Sequence, residues 1–211
     1  MKILGISTGT KVVSVAIVDD VETLCTASLQ CEFTSSNVKS EDIVVLIDRI
    51  CKDISFDIND IEAVAVATGP GSYSGLRGGL AAAKSLAQVL NIPLAGVSTL
   101  EAIAYNFKNT ECTIAVVLDA VKDANNFALF TSYSNKVRRL TDDMVVSKSR
   151  VEELLKQIKG KIFVTGPEDN YAYGKNVALI GLAKIKEGKT CDFLTLTPNY
   201  SHMPNVREFR A

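Results

Sequence analysis

Apolar positions along this chain fall into short runs separated by small polar corners, and two periods alternate. Residues 2–6, 12–18 and 23–30 read as three successive strands, joined by Ser7-Thr8-Gly9-Thr10 and by Asp19-Asp20. Ser40 is placed to cap a helix from residue 41 to about residue 54. Residues 60–68, nearly continuous in Ile, Val and Ala, predict a strand covered on both faces. A glycine-rich corner, a helix to about residue 90 and the stop Asn91-Ile92-Pro93 follow. A short strand at 93–97 and a helix at 99–107 complete this half.

The order then begins again. Strands are predicted at 113–118, 127–133, 136–140 and 144–147, a helix at 150–158, a strand at 161–165 and a helix at 175–186. The letters repeat as well: Val64-Ala65-Val66-Ala67 runs into Thr68-Gly69-Pro70, and Ile162-Phe163-Val164 into Thr165-Gly166-Pro167. An α/β protein of two duplicated lobes is expected, residues 1–108 carrying the longer helices and residues 109–211 forming a reduced copy.

The first corner concentrates Gly69, Gly71, Gly75, Gly78 and Gly79 just before Ala81, Ala82, Ala83 and Lys84. A phosphate-binding P-loop needs G-x-x-x-x-G-K-[ST], and the nearest frame, Gly78 to Ser85, has alanine at the second glycine and already reads as helix. Two readings stand for the helix start. Gly69, Gly71, Ser72 and Ser74 could receive an anion or nucleotide, or they form a tight corner whose caps serve only the helix. Further along, Gly75, Gly79 and Ala83 sit four apart, with Gly78 and Ala82 beside them. Glycine inside a helix costs about 0.5–1 kcal/mol against alanine, so a close-packed neighbour is expected.

The helix over 41–54 bears on which neighbour that is. Ile43, Val44, Val45, Leu46, Ile47, Ile50, Cys51 and Ile54 make an apolar band wider than one sheet-covering helix needs. Surplus apolar surface on one helix and stripped bulk on the next point to a protein interface. Its expected residues are Ile43, Val44, Ile47, Ile50 and Cys51 on the first helix, and Gly75, Arg77, Gly78, Gly79, Ala82, Ala83 and Leu86 on the second. A large side chain at Gly79 is expected to block pairing while the fold survives. Arg77 reads either as a surface charge or as a contact for a partner's carboxylate or a nucleotide.

Composition narrows the chemistry. The 211 residues carry a formal net charge of -1, with no basic stripe of the kind that grips nucleic acid unaided. The opening apolar run is too short for a signal peptide, and nothing nears the roughly 18 unbroken apolar residues of a membrane span. Five cysteines, Cys25, Cys31, Cys51, Cys112 and Cys191, form no C-x-x-C pair and read as reduced thiols of a cytoplasmic protein. One histidine, His202, supplies neither a histidine-built metal site nor a Ser–His pair. Asp119, with Asp123 beyond it, reads as a turn-forming carboxylate rather than a base or ligand.

Three stretches carry a resemblance. Ile3-Leu4-Gly5-Ile6-Ser7-Thr8 before a hairpin, the run from Ala67 through Gly79 to Ala87, and Ile92-Pro93-Leu94-Ala95-Gly96-Val97-Ser98-Thr99-Leu100-Glu101-Ala102 resemble the TsaB family. The likeness is densest over 68–104 and thinner over Val117-Leu118-Asp119-Ala120 and Pro198-Asn199-Tyr200. It implies the two-lobed, ribonuclease-H-like fold of actin, sugar kinases and Hsp70. It also implies a noncatalytic scaffold in the threonylcarbamoyl modification of the tRNA adenosine next to the anticodon. A TsaD-type subunit would carry the metal and the transfer chemistry, and a TsaE-type ATPase would join. A homodimer would form through the same helices in their absence, and tRNA would be met only through the complex. No intrinsic cofactor or metal is implied, with ATP or ADP near the partner interface. Family members usually carry aspartate where Ser7 stands, a histidine where Lys39 precedes Ser40-Glu41, and Asp-Ala-Arg where Asp119-Ala120-Val121 stands. The Ser7 change removes a carboxylate that organises metal and phosphate in the wider fold. A small ATP-binding kinase of the same fold is the competing reading.

Overall fold

The computed structural model describes residues 1–19, 30–35, 42–120, 123–166 and 168–201. Strands β1 (Lys2–Ser7), β2 (Val13–Asp19), β3 (Gln30–Ser35), β4 (Ala63–Gly69) and β5 (Leu94–Ser98) form one sheet in the order β3-β2-β1-β4-β5. β1 to β3 pair antiparallel, whereas β4 pairs parallel to both β1 and β5. The third strand therefore lies later than residues 23–30, of which 23–29 fall outside the described residues.

The second sheet repeats the plan. β6 (Thr113–Asp119), β7 (Ala124–Tyr133), β8 (Lys136–Arg139), β9 (Met144–Ser147) and β10 (Ile162–Val164) lie in the order β10-β6-β7-β8, with β9 sharing the same edge of β7 as β8. The β6–β7 hairpin and the parallel β6–β10 pair stand where β1–β2 and β1–β4 stand in the first half.

Five helices cover these sheets: α1 (Ile43–Asp53), α2 (Tyr73–Leu90), α3 (Thr99–Ala104), α4 (Lys148–Gln157) and α5 (Gly174–Lys186). The helix expected over 99–107 ends at Ala104 and tightens into a 3-10 turn, Tyr105–Phe107. The cap expected at Ser40 lies outside the described residues, and α1 starts after Asp42, which makes no side-chain cap bond. α2 has its cap at Ser72, whose hydroxyl accepts from Gly75 N–H, and its stop at Asn91 in the left-handed region.

Period-two alternation sorts the first sheet. Leu4, Ile6, Val15, Ile17, Val64 and Val66 face α1 and α2. Ile3, Ala63, Ala65 and Ala67 face the molecule's centre. That inner face is made of small residues because α5 lies hard against it. A methyl group on Gly181 would strike Ala65, one on Gly5 would strike Gly174 and Ala178, and one on Gly174 would strike Val15 and Ala16.

Helix and sheet do not divide at the same place in the chain. α5, from the second half, packs on β1, β2, β4 and β5, while α3, from the first half, packs on β6 and β7. Residues 1–108 and 109–211 thus hold one sheet each but exchange their central helices, and a single core joins them. Polar bonds close the junction. Glu101 takes Lys184 at 3.2 Å and Arg139 at 3.7 Å, Arg139 meets Asp143 at 2.6 Å, and Ser98 donates to Asp143 at 2.7 Å.

Candidate functional site

The glycine-rich corner folds around the turn that ends β1. Thr8 donates its hydroxyl to the Gly75 carbonyl at 2.6 Å, and Ser72 N–H donates to the Gly9 carbonyl at 2.8 Å. A methyl group at Gly75 would run into the Thr8 carbonyl, and one at Gly79 into the Thr8 side chain. Gly69 sits at φ +119 beside the Asn199 carbonyl, where a side chain has neither backbone freedom nor space.

This placement corrects part of the expected interface. Gly75, Gly79 and Ala83 lie on the buried face of α2, and Ile50 is 1% exposed against the sheet. Bulk was stripped from Gly75 and Gly79 for this chain's own first turn, not for a foreign helix. A large residue at Gly79 would break the fold and cannot serve to test pairing. Sequence spacing could not reveal this, because Thr8 is 67 positions from Gly75.

The other expected interface residues do converge. Ile43, Val44, Ile47 and Cys51 of α1 and Gly78, Ala82 and Leu86 of α2 line an open groove of about 980 Å³, which continues over Ala81, Ser85, Val89, Phe56 and Ile58. Ile43, Ile47 and Cys51 are its buried floor, while Val44 and Val45 are each 64% exposed and Val89 82%. Among the described residues the charges at its margin are Asp48 and Lys52, paired with each other at 2.6 Å, and Asp57, which caps its own turn. Burial, with Asp48 and Asp57 adding to it, pushes the Cys51 thiol up from its ordinary value.

The run from Gly78 to Ser85 lies inside α2, so its backbone N–H groups serve the helix, and no P-loop exists there. Of the four residues weighed as anion contacts, Gly71 and Ser72 reach the interlobe cleft, while Gly69 and Ser74 do not line it. This cleft, about 610 Å³, also takes in Thr10, Lys11, Asp119, Asn126, Thr165 and Asn170. Asn170 donates to the Val117 carbonyl at 2.5 Å, and among the described residues neither its buried Oδ1 nor the buried hydroxyl of Ser7 has a hydrogen-bond partner. Asp119 lies exposed at the end of β6, where Ala120 N–H closes the hairpin on the Ala124 carbonyl. Among the described residues no group of His, Cys, Asp and Glu side chains is placed to hold a metal ion, and no helix is long and apolar enough to cross a membrane. His202, Cys25 and Val121 lie outside the described residues, and Cys51, Cys112 and Cys191 are free thiols.

Arg77 is exposed but is not a lone surface charge. Its Nε donates to the Tyr200 hydroxyl at 2.9 Å, and its guanidinium lies 4.1 Å over the Tyr73 ring, which stacks on Tyr200 at 4.7 Å. The segment carrying Tyr200 leaves α5, bridges β5 at Cys191 and bonds Thr68 through Asn199 N–H at 2.7 Å. Only Pro198-Asn199-Tyr200, noted as a weak likeness, hinted at this crossing.

Two sheets of one plan, with helices exchanged between them, define the two-lobed α/β class of actin, sugar kinases and Hsp70. The family profile described as TsaD, tRNA N6-adenosine threonylcarbamoyltransferase, matches residues 34–196, and the chain belongs to this family, among its TsaB members. It is 31% identical over 111 residues to the Bacillus subtilis tRNA threonylcarbamoyladenosine biosynthesis protein TsaB, a match spanning 53% of this chain and 48% of that protein. It is 28% identical over 169 residues to the Escherichia coli protein of that name, spanning 79% of this chain and 71% of that one. The chain thus spans about half the length of the first relative. The solved structure of YeaZ from Pseudomonas aeruginosa superposes with a TM-score of 0.78 over 94% of this chain and 99% of that one, at 14% identity, which shows the fold alone.

Proposed function

We propose that this protein is an accessory, noncatalytic subunit in the formation of threonylcarbamoyladenosine on tRNA, and that its α1/α2 groove seats a TsaD-type catalytic subunit. The observation that carries the reading is the groove itself: a bare apolar trough on the outer face of the first lobe, with valines exposed along its rims. Contiguous apolar surface of this extent marks a docking site. The names of the Bacillus subtilis and Escherichia coli relatives support the pathway, and the TsaD-type proteins among the homologues are consistent with that kind of partner. A TsaE-type ATPase would join the pair, tRNA would be met through the assembly, and two copies would share the groove when the catalytic subunit is absent.

The lobes themselves favour scaffolding. A kinase of this fold closes its lobes around a substrate, whereas α3, α5 and the Glu101–Arg139–Asp143 network tie these two together. The test is modification of unmodified tRNA by purified TsaD-type and TsaE-type subunits, with and without this chain. Activity that requires the chain, and is lost with Ala81→Arg in the groove, is the expected result. Full activity without the chain overturns the reading.

A second reading, a small ATP-binding kinase or ATPase, draws on one observation: the interlobe cleft with Lys11, Ser72 and the unpartnered Asn170 Oδ1 along it. ATP turnover by the purified chain alone, abolished by Lys11→Ala or Asn170→Ala, would favour it. Nucleotide bound only when the catalytic subunit is present would instead place ATP or ADP at the partner interface.

A further inference from the structure

We infer that Arg77, held by Tyr73 and Tyr200, is a preorganised receptor for a carboxylate of the partner, and that the C-terminal segment is thereby part of the docking face. The inference rests on the groove reading above and adds to it a polar anchor at the groove's end.

Helix spacing places the anchor. Tyr73, Arg77, Ala81, Ser85 and Val89 succeed one another at four-residue steps along one ridge of α2. The last three line the groove, and the first two hold Tyr200. From Arg77 to Val89 the ridge runs about 18 Å at the rise of an α-helix. The apolar trough therefore passes directly into an aromatic–cation cluster, the pairing of residue types in which binding energy concentrates at interfaces.

The guanidinium is aimed before any partner arrives. A free arginine loses rotamer freedom when a partner fixes it. Here the Tyr73 ring lies under the plane at 4.1 Å and the Tyr200 hydroxyl takes Nε at 2.9 Å, so that freedom is already spent within the chain. Arginine has five N–H donors, and one is used. The two Nη groups meet no hydrogen-bond acceptor or carboxylate among the described residues. An exposed, rigid fork with free donors matches a carboxylate, which it binds bidentately. The Asp48–Lys52 pair at the groove's margin is already satisfied. Among the described residues that line the groove or the clasp, the unmet charge is thus positive and sits at the α2 N-terminal end. The occupant it fits is a TsaD-type subunit presenting an apolar helical face with an aspartate or glutamate at one end.

The experiment titrates the full chain with a TsaD-type subunit from the same cell by calorimetry, at low and at raised salt. Arg77→Gln keeps the stem and one amide donor group near the Nε position but removes the charged fork. It should weaken binding about tenfold or more and flatten the salt dependence. Tyr200→Phe keeps the stack and removes the hydroxyl that orients the fork. It should cost about threefold with Arg77 present and nothing further in the Arg77→Gln background. Thermal unfolding of each variant checks that the chain remains folded, and Tyr200→Phe carries the test if Arg77→Gln does not. Ala81→Arg separates the two claims, because it fills the groove and leaves the clasp alone. Loss of binding with Ala81→Arg but binding within twofold of the parent for Arg77→Gln overturns the anchor and leaves the groove reading standing. Unchanged binding with Ala81→Arg removes the groove reading, and the anchor falls with it. Dependence on Arg77 seen only in self-association assigns the fork to a second copy and overturns the partner named here.

Discussion

The two halves of this protein follow one plan and finish their outer faces differently. In the second half a single helix, α4, closes the sheet with Val151 buried and Leu154 and Leu155 half-buried. Its outward side is charged: Lys148, Arg150, Glu152, Glu153 and Lys156 are exposed, and Arg150 pairs with Glu153 at 2.7 Å. In the first half two helices share the task, and the trough between them is apolar. α4 ends at water as an ordinary amphipathic helix does, whereas α1 and α2 leave an apolar strip, with Val44, Ala81 and Val89 exposed, where they meet. Duplication removes fold as the explanation, since both halves solve the same folding problem. The surplus on the first half is the surface that the proposed docking would cover.

The corners show the same asymmetry and give the largest expected effect. Gly75→Ala and Gly79→Ala should each destabilise by about 1–3 kcal/mol, because an inserted methyl meets Thr8 in a close-packed site. Helix propensity opposes this by about 0.5–1 kcal/mol. In the second half, a methyl at Gly166 meets only an Asp169 carboxylate oxygen at 3.6 Å, an ordinary contact. Gly166→Ala should therefore change stability by no more than about 0.5 kcal/mol. Denaturant unfolding of the variants checks both. Equal costs in the two halves would show that the first corner is not specially packed.

The halves were visible in the chain because each is built from local signals. Strand periodicity, the Thr-Gly-Pro corners and Asn91-Ile92-Pro93 all act within a few residues, and the elements appear within a few positions of where they read, except the third strand, which lies at Gln30–Ser35. What escaped is what depends on contacts between distant segments. The exchange of α3 and α5 is not written in either helix alone, although Gly174, Ala178 and Gly181 do mark a small-residue face on α5. Stripped bulk at Gly75 and Gly79 looks the same in sequence whether the neighbour is Thr8 or a foreign helix. The groove survived that error because Val44, Gly78, Ala82 and Leu86 carry their own apolar, outward pattern.

Joining the halves is the next effect in size. Arg139 lies partly buried, at 27% exposed, between Asp143 and Glu101, and stacks over Phe130 at 4.8 Å. Arg139→Met keeps the packing and leaves both carboxylates to Lys184 and water. A loss of about 1–2 kcal/mol is expected, below the value for a fully buried pair because solvent screens this one. Thermal unfolding should stay a single transition, since the shared core and exchanged helices still bind the sheets. Two separated transitions would show that the lobes are independent and would reopen hinge motion.

The smallest effect is a reactivity at the groove floor. Cys51 is 7% exposed, and burial, with Asp48 and Asp57, raises its thiol pKa. The folded chain holds the neutral thiol more firmly than the unfolded chain does. This contribution to stability is therefore complete below the unfolded thiol's pKa and fades as pH climbs through the raised folded value. At neutral pH alkylation at Cys51 should be slower than at an unfolded-chain cysteine, and should accelerate with pH only above the ordinary thiol range. Asp48→Asn removes the nearer-ranked of the two carboxylate contributions and should move that acceleration to lower pH. α4 has no cysteine, so alkylation followed at Cys51 itself by peptide mapping, apart from the free thiols Cys112 and Cys191, reports on the groove of the first half. A partner in the groove should slow the reaction further by covering Cys51 and its neighbours. An alkylation rate unaffected by a saturating TsaD-type subunit would mean that the bare trough on the first half is not where that subunit sits, and the contrast between the halves would need another cause.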